Sequence, residues 1–112
     1  MPESSPQTIP EAVTWLRDHF DADGACGLNA TYQFDLAGPA GGALVVRIDD
    51  GKAEIREGSE PSRDVAFRLE ACDYWDILAG RENVDLLIMK GRLEIDGDLR
   101  LASKVRRIFR RS

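Results

Sequence analysis

The sequence predicts one α+β domain, a five-stranded and mainly antiparallel sheet with four helices covering one of its faces. Two observations carry this. Between residues 28 and 70 apolar side chains recur at every second position in four short runs separated by turn formers. On either side of that stretch the apolar period lengthens to that of a helix. Size agrees: 112 residues with 43% apolar and 31% charged side chains suit a single globular core.

Residues 1–7 hold two prolines and two serines without periodicity and read as a flexible tail, leaving 8–112 as the domain. Thr8-Ile9-Pro10-Glu11 has the form of a capping box, with Pro10 in a first turn where its missing N–H costs little. Ala12, Val13, Leu16 and Phe20 then keep helical spacing, Trp15 lies at the edge of the stripe, and Asp23-Gly24 closes the helix.

Leu28, Ala30, Tyr32, Phe34 and Leu36 alternate with polar residues as the buried side of a first strand. After the turn at 38–42, Leu44, Val46 and Ile48 form a second. Asp50-Gly51 is a two-residue hairpin signal leading into a third through Ala53 and Ile55. Beyond the break at 58–62, Val65, Phe67 and Leu69 give a fourth, and the four together read as one antiparallel meander.

The period then changes. Residues 72–79 suit a short helix with Trp75, Leu78 and Ala79 inward and Gly80 after it. Asn83 caps another, bearing Val84, Leu86, Leu87 and Ile88. Gly91 opens a fifth strand, residues 92–96, and Asp98 caps a last helix with Leu101, Ala102, Val105, Ile108 and Phe109 on one side.

Several function classes are set aside. The longest apolar runs are four residues, against the roughly 20 that a membrane-spanning helix needs. The first residues lack a basic or apolar leader pattern, so a cytoplasmic protein is expected. One histidine, His19, and two distant cysteines, Cys26 and Cys72, supply neither a nucleophile–base pair nor a zinc set, and no dinucleotide or phosphate-loop fingerprint occurs. No enzyme, cofactor or metal is expected. The net charge of −5 divides into +6 over residues 99–112 and −11 elsewhere, which argues against nucleic acid as a partner.

One pattern is more specific. Gly91-Arg92-Leu93-Glu94-Ile95-Asp96-Gly97-Asp98, followed by Leu101-Ala102 and Lys104-Val105, resembles the signature of the sterol carrier protein 2 sterol-binding family. The upstream order agrees: Tyr32-Gln33-Phe34, Gly42, Asp50-Gly51, Asp64-Val65, Asp73-Tyr74-Trp75, then Gly80 ahead of Asn83. The resemblance spans residues 9–111 and implies a hydrophobic tunnel between sheet and helices for a fatty acid, fatty acyl-CoA, sterol-like or isoprenoid lipid, without catalytic residues. The final Arg110-Arg111-Ser112 is no peroxisomal address, which points to a bacterial or other non-peroxisomal member and away from sterol as the natural ligand.

Residues of the apolar faces that would line the tunnel are Phe34, Val46, Phe67, Trp75, Leu78, Leu87, Met89, Leu93, Leu101, Val105 and Phe109. Plain core packing is the competing reading for each. Arg106, Arg107, Arg110 and Arg111 either complement the negative end of the last helix or make a transient contact with anionic headgroups at a membrane surface. The expected partner is a hydrophobic small molecule. An oligomeric interaction module, or an accessory that presents lipid substrates to an enzyme such as one of a quinone pathway, is the alternative.

Overall fold

The computed structural model describes residues 6–109, without the side chains of Arg106 and Arg107. Pro6 is buried and the Gln7 N–H donates to Glu11 Oε1 at 2.8 Å, so both residues belong to the folded unit. Helix α1 (Ile9–Asp18) starts as its sequence indicates, with Thr8 Oγ1 accepting from the Glu11 N–H at 3.3 Å. Glu11 reaches back one residue further than a reciprocal capping box would, to Gln7 rather than Thr8. Ile9, Ala12, Val13 and Leu16 are its buried stripe. The helix stops at His19, short of Asp23-Gly24, because residues 21–27 turn instead.

Strands β1 (Asn29–Ala37), β2 (Gly42–Asp49) and β3 (Lys52–Glu57) form two antiparallel pairs, with Tyr32 opposite Val46 and Val46 opposite Ile55. The β2–β3 turn holds Asp50 and Gly51 at φ of 46° and 84°, the paired left-handed conformation of a tight hairpin.

The expected meander is overturned at the next strand. β4 (Val65–Glu70) does not pair with β3; it lies on the other side of β1 and runs parallel to it, Phe34 opposite Phe67. The sheet order is β3-β2-β1-β4-β5, three antiparallel pairings and one parallel. Alternation tells which side of a strand is buried but not which strand it joins, so the segment 58–64 was legible only as a break. Its physical role is a crossover over the side of the sheet away from the helices. There Gln33, Val45 and Ala66 stand side by side in register and are buried, in a row that alternation alone assigns to solvent. Gln33 fastens the crossover: its Oε1 accepts from the Glu60 N–H at 3.0 Å and its Nε2 donates to Ser59 Oγ at 3.3 Å. Asp64 completes the fastening, exchanging bonds with the Thr31 carbonyl and N–H at 2.9 and 2.8 Å.

Helices α2 (Ala71–Leu78) and α3 (Val84–Met89) follow, then edge strand β5 (Leu93–Gly97), antiparallel to β4, and α4 (Leu99–Ile108). Asn83 and Asp98 cap α3 and α4 through their side-chain oxygens. Gly97 stands at φ 121°, and a Cβ there would collide with the Asp64 carbonyl oxygen. All four helices pack on the side of the sheet that carries Tyr32, Phe34 and Phe67: α1 over β2 and β3, α2 over β1 and β4, α3 and α4 towards β5. Among the described residues no helix is long and apolar enough to cross a membrane.

Candidate functional site: a cavity between sheet and helices

Two ties position α4. At its start, Tyr32 Oη donates to the Leu101 carbonyl at 2.7 Å. At its end, the Asp21 N–H donates to the Ile108 carbonyl at 2.6 Å, and Phe20 bridges to Phe109. Between these ties the described α4 side chains that face the space beneath are Ala102 and Val105, both short. The result is a cavity of about 380 Å³, within the roughly 300–1,000 Å³ typical of small-molecule sites.

Its floor is aromatic and aliphatic. Phe34 and Phe67, opposite each other on parallel strands, stack with ring centroids 4.9 Å apart, and Leu69 faces Leu93 across β4 and β5. The walls are Trp15 and Leu16 of α1, Tyr74, Ile77 and Leu78 of α2, Val84 of α3, and Phe109. Among the described residues charge enters from the α2–α3 link and the first turn of α3, where Glu82 and Asp85 line the cavity beside Asn83. Trp15 also stacks on His19 at 3.8 Å, and His19 Nδ1 lies 2.8 Å from the Trp15 carbonyl, which occupies the chain's one imidazole locally.

Of the residues expected to line a tunnel, the cavity brings together Phe34, Phe67, Leu78, Leu93, Val105 and Phe109. Val46 and Leu87 are wholly buried but packed solid, Trp75 is buried beside Tyr74 away from the void, and Leu101 is half-buried with its carbonyl bound by Tyr32. Met89 is not at the cavity at all: it is 81% exposed, because six-residue α3 turns only Leu87 fully inward. The Arg106 and Arg107 side chains, with Arg110 and Arg111, lie outside the described residues.

Sequence reasoning missed Trp15, Leu16, Leu69, Tyr74, Ile77, Val84, Ala102 and the three polar rim residues. Leu16, Leu69 and Ala102 carry a visible signal, since their apolar periods mark them as inward. Ala102 is the smallest side chain at the cavity wall. Glu82, Asn83 and Asp85 carry none, because nothing in a link's composition says where it folds.

The electrostatics are mostly structural. Arg92 holds Asp73, a buried carboxylate of α2, through two bonds of 2.9 and 3.1 Å, and that partner raises the Arg92 pKa further. Burial, then Asp64 and Asp98, push the Tyr32 phenol up to about 12. Burial alone raises Tyr74. Among the described residues no three His, Cys, Asp or Glu side chains group to hold a metal.

The model of the SCP-2 sterol transfer family matches residues 16–110. The bovine hydroxysteroid dehydrogenase-like protein 2 is 26% identical over 110 residues, covering 96% of this chain but 26% of its own length. Among solved structures, the palmitated SCP2L2 of Aedes aegypti superposes with a TM-score of 0.70 at 23% identity, over 91% of each chain. The stereoselective inverting sec-alkylsulfatase Pisa1 from Pseudomonas sp. superposes at 0.78 and 20% identity, covering the whole of this chain and 19% of that one. At these identities the two structures establish the fold. The chain thus spans about a quarter of the bovine relative it matches.

Proposed function

The chain belongs to the SCP-2 sterol transfer family, and from that premise we propose that it is a non-catalytic carrier holding a hydrophobic molecule in a tunnel between sheet and helices. The observation that carries this reading is the cavity of about 380 Å³, walled mostly by aromatic and aliphatic side chains. The ligand class is a fatty acid, fatty acyl-CoA, sterol-like or isoprenoid lipid. Withdrawing about ten methylenes from water at ~0.8 kcal/mol each gives roughly 8 kcal/mol before ordering costs, enough for micromolar affinity. The palmitate of the mosquito protein is a reason to start with that ligand.

The test is titration of the protein with diphenylhexatriene, whose fluorescence rises in an apolar site, followed by displacement with palmitate. Saturable binding with displacement supports the carrier. A wild-type protein that takes up neither molecule removes it.

The basic C-terminal stretch of the sequence is part of the same proposal. Arg106, Arg107, Arg110 and Arg111 would meet anionic headgroups for about 1 kcal/mol each, so vesicle binding should weaken with salt. A cytoplasmic location goes with this reading. A second reading, a module that presents a lipid-like substrate to an enzyme, draws support from the small share that the matching segment takes of the bovine and Pseudomonas chains. Release of bound palmitate to acceptor vesicles separates the two, since a carrier delivers unaided and a presenting module retains its ligand.

A further inference from the structure

We infer that the free edge of β3 is a pairing site for a second copy of this chain, and that Arg17 of α1 holds it shut.

β3 ends the sheet order, and no described strand lies beyond it. Its register shows which backbone groups are left over. At the open end of the β2–β3 hairpin the Gly58 N–H donates to the Ala43 carbonyl at 2.9 Å. Leu44 stands opposite Glu57, so the bonded pairs alternate from there through Val45–Arg56 and Arg47–Glu54. Ala53, Ile55 and Glu57 therefore turn their N–H and C=O groups away from β2, towards the free edge.

Such a row of backbone groups is a template for another strand. Among the described residues two side chains reach it. Arg17 comes over from α1, and its Nη2 donates at 2.8 Å to the Ile55 carbonyl, the middle one of the row. Arg56 meets the Glu57 carbonyl only at 3.5 Å. A guanidinium lying across the centre of the edge keeps an incoming strand from bonding distance.

What fits this edge is the same edge turned about a two-fold axis. An antiparallel pairing centred on Ile55 sets Ile55 against its copy and Ala53 against Glu57 of the second copy. All three outward residues then find partners, with about two bonds for each pair. The same register sets Glu54 against Arg56 of the second copy, and Arg56 against Glu54 of the second copy. Ile55 is buried on the helix side, so these four charges share the outer side of the sheet and meet with opposite signs.

The experiment compares self-association by sedimentation equilibrium for wild type, Arg17→Met and Arg17→Met/Arg56→Glu, with circular dichroism as the check of folding. Arg17→Met keeps an aliphatic stem and removes the donor, while Ile9, Ala12, Val13 and Leu16 keep α1 docked. Wild type should stay monomeric, and Arg17→Met should dimerise at least about tenfold more tightly. Adding Arg56→Glu places like charges opposite Glu54 and should undo the gain, and adding Glu54→Arg to that double variant should restore it. Amide exchange at Ile55 should slow in the dimer, since its N–H faces the free edge. Where Arg17→Met does not fold, Arg17→Gln, whose shorter side chain falls short of the carbonyl, takes its place. A folded Arg17 variant as monomeric as wild type overturns the inference. So does a dimer indifferent to Arg56→Glu, or a wild type that already pairs as tightly.

Discussion

Tyr32 of β1 donates its hydroxyl to the Leu101 carbonyl of α4 at 2.7 Å, joining a central strand to the helix that roofs the cavity. Tyr32→Phe should therefore lower stability by about 1 kcal/mol, seen as a lower urea midpoint with an unchanged slope. Burial of this phenol, with Asp64 and Asp98 nearby, also sets a pH dependence. The folded pKa of about 12 lies above the ordinary value near 10, so the neutral phenol favours the folded state. That contribution is whole below about pH 10 and is lost as pH climbs towards 12. Tyr74 shifts the same way, so Tyr32→Phe should flatten the alkaline loss in part and Tyr32→Phe/Tyr74→Phe remove most of it.

Gln33 holds the crossover 58–64 from beneath the outer side of the sheet. Gln33→Ala leaves the Glu60 N–H without its acceptor and opens a void beside Val45 and Ala66. A loss of about 2 kcal/mol is expected, with amide exchange accelerated first at Glu60 and Asp64. Exchange unchanged in that segment would contradict the fastening role.

These two bonds also mark how much the sequence discloses. Every helix and strand was legible, because caps at Thr8, Asn83 and Asp98 and alternation through Tyr32, Val46 and Phe67 are local signals. The parallel pairing of β1 with β4 was not, since its cause is long-range: Gln33 accepts from a residue 27 positions away. The cavity was half legible for the same reason. Phe34, Phe67 and Leu93 announce an inward side, but emptiness depends on the small Ala102 and on the two ties that hold α4, neither of which has a periodicity.

Gly97 ends β5 where the chain passes the Asp64 carbonyl. Gly97→Ala adds a clash to a left-handed backbone and should cost about 2–3 kcal/mol, read as a lower melting temperature. Gly91→Ala is the control, for it also has positive φ, 74°, but nothing within 4 Å of a Cβ, and should cost roughly 1 kcal/mol.

Asp73 and Arg92 fasten α2 to the approach of β5, and Asp73 is 6% exposed. Arg92→Ala strands that carboxylate and should lower the midpoint of denaturant unfolding. Arg92→Lys should recover less than half, since a point charge cannot reproduce two parallel bonds.

The central claim is that the cavity under α4 holds a hydrophobic molecule, and the direct test is mass spectrometry under non-denaturing conditions on wild type and Leu78→Trp, each mixed with palmitate and with hexadecanol. The variant keeps an apolar side chain at a cavity wall and fills the void. Wild type should carry one ligand per chain, and the folded variant should carry none or bind at least tenfold more weakly. Equal ligand mass on both proteins, or none on wild type, would contradict the account.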